Sequence, residues 1–313
     1  MRSVTEVSRA VPLRPLLTMF LPAAAAFLLT GGTLDGLYSP WALAVVSAAG
    51  VGWPGLCALL GAGLGAFLFL DFQAGLRHTA SAILIFCAAT AFCTTRLYRR
   101  PRFRPAAAVV MTLLVQSAYL FQRQPRQWTL CAAALTILWA AAALLPSLTD
   151  SSADGGTRQQ AGFLLALGLC LSAYGWEVSG FRMGGLLAAA LLLAAARRLT
   201  PAAAAAAGAV AGLVLDLYAG DTVLLTAVLS GASAAASALQ RRGRLLSPLA
   251  FCAVAAAVYL LLDGPDLLPL LCQCIAGAGL YLLLPEHLLP RLAQRAASVS
   301  RSAPSREEAA TPA

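Results

Sequence analysis

The sequence predicts an all-α protein, a polytopic bundle of about ten to twelve transmembrane helices, and three observations favour this fold. Hydrophobic residues make up 60% of the 313 residues, whereas charged residues make up only 11%. The apolar residues come in repeated runs close to the roughly 20 residues that a helix needs to cross a bilayer. These runs are rich in Ala, Leu and Gly and lack the period-2 alternation of a transmembrane strand, so we expect helices.

Twelve apolar blocks define the expected helices in chain order. The first begins near residue 15, behind a short basic segment, and we interpret it as a retained helix and not a cleaved signal sequence, because many further blocks follow. The blocks on either side of Trp53-Pro54 are short and leave an alternative open. If they form a re-entrant hairpin, the chain has ten spans, which is also an even number. The blocks lie near 15–33, 40–53, 55–70, 78–94, 106–121, 128–146, 160–175, 180–196, 202–219, 221–239, 246–262 and 266–285.

The arginines predict which loops face the cytoplasm. Cytoplasmic loops of membrane proteins are enriched in basic residues, and with the N-terminus inside, 18 of the 22 arginines fall on the cytoplasmic side. These are Arg2, Arg9, Arg14, Arg96, Arg99, Arg100, Arg102, Arg104, Arg158, Arg197, Arg198, Arg241, Arg242, Arg244, Arg291, Arg295, Arg301 and Arg306. The outer side keeps Arg77, Arg123, Arg126 and Arg182, and its loops carry Asp35, Asp71, Glu177, Asp216, Asp221, Asp263 and Asp266.

The domain organisation follows from this pattern. We expect a cytoplasmic N-terminus over 1–14, a transmembrane domain over 15–290, and a disordered cytoplasmic tail or linker start over 291–313, where the composition is too polar to bury a core. The net charge of +9 does not indicate nucleic acid, because the basic residues are spread over short loops and do not cluster on one soluble face. The expected environment is the lipid bilayer of a bacterial inner membrane.

The two parts of the chain share a short internal echo. Residues 68–75 (LFLDFQAG) match residues 213–220 (LVLDLYAG) at five of eight positions, with an offset of 145. The same offset places Arg96 on Arg241 and Arg99 on Arg244. The echo indicates a possible internal six-helix duplication with parallel halves, as in several transporter folds, although Ala/Leu-rich sequence also produces such matches by chance.

Two acids within this echo, Asp71 and Asp216, are the candidate intramembrane acids. Ionisable residues inside a bilayer are costly and are therefore functional candidates. Each closes an apolar block and is followed within four residues by Gly, so the pair could bind a cation or relay protons. We favour the alternative, in which they cap the following helices near the outer membrane surface, because Asp is a preferred N-cap residue.

Other reactive side chains do not assemble into a catalytic or metal centre in the sequence. His78 and His287 are predicted to lie on opposite membrane faces, and the eight cysteines fall inside apolar runs, where cysteine behaves as a small hydrophobe. Cys272 and Cys274 lack the further ligands that a structural zinc requires. The five tryptophans, mostly near block ends, are typical of an interfacial belt. We therefore expect no catalytic residue, no cofactor and no metal site in this chain.

The order of blocks from Phe181 to Leu292 resembles the N-terminal membrane region of stage II sporulation protein E. The closing Leu-Leu-x-Pro element is the most specific part of the likeness, because in that family it ends the last span. The residues that carry the resemblance are Gly208 to Leu215, Leu217-Tyr218-Ala219-Gly220, Leu224 to Leu239, Gln240-Arg241-Arg242-Gly243-Arg244, Val258-Tyr259-Leu260-Leu261 and Tyr281-Leu282-Leu283-Leu284-Pro285.

The resemblance implies a sporulation function. In that family about ten spans anchor a metal-dependent serine phosphatase, which uses manganese or magnesium, activates the forespore sigma factor and assembles at the polar septum with the division protein FtsZ. Only 23 residues follow Pro290, too few for a phosphatase fold, so no catalytic residue carries over. We expect either a truncated or split gene product or a membrane region that acts alone.

Three functional hypotheses follow. The leading one is a membrane anchor and septal-targeting module that acts by lateral helix packing, including possible self-association, and by presenting its tail to septal proteins such as FtsZ. The second is a small-solute or ion transporter of two pseudo-symmetric halves, motivated by Asp71 and Asp216. The third, a scaffold of the cell-shape machinery, is based only on the class of protein.

Overall fold

The computed structural model describes residues 13–120, 125–148, 150, 153–178, 181–219, 223–243, 245–262, 264 and 267–283. The predicted N-terminal segment, His287 and the predicted tail lie outside these residues. The described ranges contain twelve α-helices, in agreement with the predicted helical bundle: α1 Leu13–Thr30, α2 Pro40–Ala49, α3 Trp53–Phe69, α4 Phe72–Phe92, α5 Phe103–Leu120, α6 Pro125–Leu144, α7 Gly155–Tyr174, α8 Met183–Ala196, α9 Pro201–Ala219, α10 Leu224–Leu239, α11 Leu246–Leu261 and α12 Leu267–Leu283.

Short irregular elements connect some of these helices. Two 3-10 turns, Leu145–Leu148 and Gln240–Arg242, follow α6 and α10. Strands β1 (Glu177–Val178) and β2 (Phe181–Arg182) pair antiparallel just before α8. Proline starts α2, α6 and α9, where its missing N–H has no intrahelical partner to lose.

The turn between α2 and α3 depends on glycine. Gly50 and Gly52 have φ angles of +69° and +89°, in the left-handed region that side chains rarely adopt. The chain reverses there within three residues, so Gly55 in the first turn of α3 lies against the carbonyl group of Gly50. This tight reversal separates the two predicted blocks around Trp53 into two helices.

The twelve helices form two halves, α1–α6 and α7–α12, with the same pattern of neighbours. In the first half α2 contacts all five other helices, and in the second half α8 does the same. The pairs α1·α3, α3·α4, α4·α5 and α5·α6 have the counterparts α7·α9, α9·α10, α10·α11 and α11·α12. Corresponding helices begin between 142 positions (Leu13 to Gly155) and 152 positions (Phe72 to Leu224) apart.

In helix α3 small residues face the interior of the bundle, and large apolar residues lie on the outside. In α3 the buried residues are all Gly or Ala, at positions 55, 58, 61, 62, 65 and 66. The exposed face of the same helix carries Leu60, Leu64, Phe67 and Leu68. In a water-soluble helix the large apolar side chains would face the core, so this distribution is the reverse of the soluble pattern.

Glycine allows several helix backbones to touch. Gly61 of α3 lies against the backbone of Ala23 in α1, whereas Gly208 and Gly212 of α9 lie against the backbone of α10 at Leu229 and Leu225. Such close approach is typical of helices that associate in lipid, where small residues increase van der Waals contact. The glycines Gly208, Gly212 and Gly277 therefore serve packing within the bundle.

In each half, the C-terminal end of the central helix, α2 or α8, contacts a junction that carries arginine. In the first half the Ser47 hydroxyl at the end of α2 donates to the Arg104 carbonyl oxygen at the start of α5 (3.2 Å). In the second half the Gln240 amide donates to the Arg197 carbonyl oxygen (2.8 Å). The C-terminal ends of α1 and α7 meet where the Ser172 hydroxyl donates to the Leu28 carbonyl oxygen (2.5 Å).

By length and composition, three segments among the described residues are long and apolar enough to cross a membrane. They are Phe72–Phe92, Gln127–Leu148 and Pro201–Tyr218. Seven further apolar helices have 10 to 17 described residues. Helix α2, with 10 residues, extends only about 15 Å, well short of the roughly 30 Å hydrocarbon layer.

Candidate functional site

The two predicted acids stand at corresponding positions of the sequence echo but lie in different environments. Asp71 is exposed, and although it stands at the N-cap position of α4, its side chain makes no capping hydrogen bond. Asp216 lies inside α9 and is only 6% exposed. The structure thus separates two residues that the sequence treats as equivalent.

The carboxylate of Asp216 accepts three hydrogen bonds at the start of α10. The backbone N–H of Leu225 donates to Oδ1 (3.0 Å), and the N–H and hydroxyl of Thr226 donate to Oδ2 (2.8 and 2.7 Å). A negative charge is favourable at this end of a helix, because the first-turn N–H groups have no intrahelical acceptor. Asp216 therefore caps α10 from the neighbouring helix α9.

A small polar cavity lies in the first half, around the start of α2. Its volume is about 20 Å³, and its lining residues with polar side chains are Tyr38 and Ser39 just before α2, His78 of α4, and Thr112 and Gln116 of α5. His78, Thr112 and Gln116 are 4%, 6% and 4% exposed. A cavity of this size holds about one water-sized ligand.

Two polar atoms at this cavity lack a protein partner among the described residues. They are Nε2 of His78 and Oγ1 of Thr112, and both are buried. A buried polar atom without a partner costs roughly 1–3 kcal/mol. Because both residues line one cavity, a bound ligand or water there would satisfy both atoms.

Gln116 connects the cavity to a positive charge. A guanidinium N–H of Arg77 donates to the Gln116 Oε1 (3.4 Å), and the guanidinium carbon of Arg77 lies 3.6 Å from the centroid of the Tyr119 ring. Since Oε1 accepts from Arg77, the amide NH₂ of Gln116 is the group left for other partners. The side chain of Gln116 therefore contributes hydrogen-bond donors to the wall of the cavity.

The start of α2 presents an uncapped first turn to the same cavity. The Ser39 hydroxyl donates to the Leu29 carbonyl oxygen (3.2 Å), and Ser39 therefore does not cap α2. The preceding loop folds back through a bridge between Leu34 and Tyr38, with a left-handed turn at Asp35 (φ +51°) and Gly36 (φ +65°). This loop and the short helix place the positive end of the α2 dipole at the cavity wall.

A second cavity occupies the corresponding place in the other half, but it is less polar. It also measures about 20 Å³ and is lined by Gly185 near the start of α8, by Tyr174, and by Gln273 and Cys274 of α12, with aliphatic side chains around them. Helix α8, with 14 residues, is the shortest helix of its half, as α2 is of the first. Both cavities therefore lie at the start of a short central helix.

The remaining reactive side chains are dispersed. All eight cysteines are free thiols, and the part of the chain that the structure describes contains no group of three or more His, Cys, Asp or Glu side chains that could hold a metal ion. His78, treated in the sequence as an isolated residue of the outer face, is in fact buried beside Thr112 and Gln116. The i, i+4 spacing of these two polar residues on an apolar helix is the sequence signal for the cavity.

Comparison with protein-family models, curated proteins and solved structures gives no match for this chain. The likeness to the membrane region of stage II sporulation protein E therefore stays a prediction from the residues quoted for it.

Proposed function

We propose that this chain is a multi-pass bacterial inner-membrane protein that acts as an anchor and targeting module. The observation that carries the proposal is the reversed distribution of residue size, with Gly and Ala inside α3 and Leu60, Leu64 and Leu68 on its outer face. Lipid accepts such a surface without penalty, whereas a contiguous apolar surface of this kind in water drives association.

Both termini are proposed to be cytoplasmic. Contacts within each half support this topology, because the ends of α2 and α8 each lie beside an arginine-bearing junction, through Ser47 with Arg104 and through Arg197 with Gln240. Exposed Trp53 and Trp176 at helix ends fit the aromatic belts found at membrane interfaces.

Reporter fusions test this topology. Alkaline phosphatase fused after Asp71 or Trp176 is expected to be active, and a fusion after Arg100 or after residue 244 is expected to be inactive, with green fluorescent protein giving the opposite result. Phosphatase activity after Arg100 would contradict the proposed orientation.

The targeting role is proposed from the resemblance to the stage II sporulation protein E membrane region. On this proposal the chain concentrates at the polar septum during sporulation, self-associates through exposed helix faces, and contacts FtsZ or other septal proteins. A fluorescent fusion expressed in a sporulating bacterium is expected to form a septal band. Uniform membrane fluorescence through septation would remove the targeting role and leave the anchor.

A transporter of two pseudo-symmetric halves is the second candidate, favoured by the matching neighbour patterns of α1–α6 and α7–α12. A six-helix duplication would produce this pattern, and transporters often place their sites at the short or broken helices of such repeats. Proteoliposomes loaded with dyes for protons, sodium and potassium test the idea. Flux that is lost when Asp71 and Asp216 are both replaced by Asn would support transport, whereas an anchor gives no flux in either protein.

A further inference from the structure

We propose that the cavity at the start of α2 binds one small monovalent anion of about the size of chloride. The inference goes beyond the anchoring function, because an anchor needs no ligand. Its basis is the convergence of His78, Thr112 and Gln116 on one small cavity at the start of α2.

The groups that face the cavity favour an anion over a cation. No carboxylate is among its lining residues, and the amide NH₂ of Gln116 is the free end of that side chain, because Arg77 occupies Oε1. The Thr112 hydroxyl can donate, and a neutral His78 imidazole can carry its proton on Nε2. A cation in this cavity would meet three groups that can donate hydrogen bonds and no negative charge that balances its own.

Two positive potentials reinforce this preference. The N-terminus of α2 carries a partial positive charge, and its N-cap residue Ser39 makes no capping hydrogen bond. The guanidinium of Arg77 lies one hydrogen bond behind the cavity, on Gln116. In an environment with little water these fixed charges act more strongly than they would at a surface.

The size of the space limits the ligand. A volume of about 20 Å³ corresponds to about one water-sized particle, which favours a monatomic anion over the larger sulfate, phosphate or a carboxylic acid. The small-residue packing around α2, with Gly32 against Gly168 and Trp41, leaves little room for the wall to expand. The site is therefore expected to select a monatomic anion.

Equilibrium dialysis of the purified full-length protein in nanodiscs with radioactive chloride, in a gluconate buffer of constant ionic strength, tests the proposal. We expect saturable binding of a single chloride, competition by bromide, and no competition by sulfate. Replacing Thr112 by Val or His78 by Leu is expected to weaken binding roughly tenfold or more, the range for loss of a hydrogen bond to a charged partner.

Two controls make the test specific. Thr112→Ser keeps the hydroxyl and is expected to bind as the unaltered protein does, and Gln273→Leu changes the corresponding cavity of the second half and is expected to leave binding unchanged. Size-exclusion profiles and near-ultraviolet circular dichroism report whether each variant is folded. Absence of saturable halide binding by the folded unaltered protein, or equal binding by Thr112→Val and Thr112→Ser, would overturn the proposal and leave a cavity that holds only water.

Discussion

A methyl group at Gly208 is expected to force α9 away from α10. A Cβ atom there would meet the carbonyl group of Leu229, with its carbon at 2.7 Å, and neither backbone can yield without moving a helix. Overpacking of this kind typically costs about 1–3 kcal/mol. We therefore expect Gly208→Ala to lower the stability of the detergent-solubilised protein by roughly that amount in a denaturant titration.

Gly231 of α10 provides the matched control for this variant. A Cβ atom at that position lies 3.6 Å from side-chain atoms of Val254 and Val258, which is ordinary van der Waals contact. Gly231→Ala is expected to be neutral or slightly stabilising, because alanine also restricts the unfolded chain. Equal stability of the two variants would show that the approach of α9 and α10 is not as close as described.

The buried carboxylate of Asp216 gives a second test of a single residue. Asp216→Asn keeps one acceptor oxygen but removes the charge that the start of α10 stabilises, and one of the N–H groups of Leu225 or Thr226 loses its acceptor. We expect a loss of about 1–3 kcal/mol, the usual cost of a buried unsatisfied group, visible as a lower unfolding temperature.

Asp71→Asn is the control for Asp216→Asn, because Asp71 is exposed and makes no capping bond. Its replacement is expected to change stability by less than about 0.5 kcal/mol. If both variants unfold at the same temperature as the unaltered protein, the cap on α10 contributes nothing measurable.

Helix α3 provides a test of the proposed lipid-facing surface at the scale of one element. Leu60 is 58% exposed near the middle of this helix, so an acidic residue there would face the centre of the bilayer. The cost of such a charge is about 2.5–3.5 kcal/mol on insertion scales. We expect Leu60→Asp to reduce strongly the amount of protein recovered in the membrane fraction, measured by immunoblot after fractionation.

Leu97, an exposed leucine outside the helices, provides the matched control for Leu60→Asp. It is 44% exposed in the arginine-rich junction between α4 and α5, where an acidic side chain would meet water. Leu97→Asp is expected to insert as the unaltered protein does. Unchanged recovery of Leu60→Asp would contradict a membrane-embedded α3, since in water that substitution exposes no new apolar surface.

The short helices α2 and α8 show how element length relates to function. Each is the shortest helix of its half, each contacts all five neighbours, and each is preceded by a small β-bridged turn. Irregular backbone at membrane depth is tolerated where protein buries it or where it lines a cavity. This arrangement accounts for the location of both cavities at the first turns of these helices.

We expect the two halves of the protein, made as separate fragments, to assemble with each other in the membrane. Within each half the central helix binds all the others, whereas the halves meet chiefly through α7 with α1 and α6. Fragments 1–150 and 151–313, made together in one cell, are therefore expected to copurify from the membrane. Failure of the separately tagged halves to copurify would show that the junction between them must be continuous.

Gly168 of α7 makes this test specific for the observed interface. A Cβ atom at Gly168 would meet the Leu29 side chain at 2.8 Å and the Trp41 ring at 3.0 Å, whereas Gly162 on the same helix has open space. Gly168→Leu is expected to reduce copurification of the halves, and Gly162→Leu is not. The same result for both variants would place the contact between the halves elsewhere.

The sequence by itself determined that the chain folds as a bundle of helices. Hydropathy and loop charge are properties of contiguous residues, so the twelve apolar blocks predicted twelve helices. The local echo between residues 68–75 and 213–220 indicated two similar halves. The sequence did not reveal that Trp41, expected at an interface, is 2% exposed, because its burial depends on contacts with α1 and α7.

Only the tertiary structure decided which polar residues meet. Asp71 and Asp216 share a sequence motif, yet only Asp216 reaches the first turn of the next helix, because α9 continues past it and approaches α10 through glycine. His78 and Thr112 are 34 positions apart in the sequence and line one cavity because α4 and α5 both pack around the start of α2. Contacts between distant residues depend on helix rotation and crossing, which local composition does not specify.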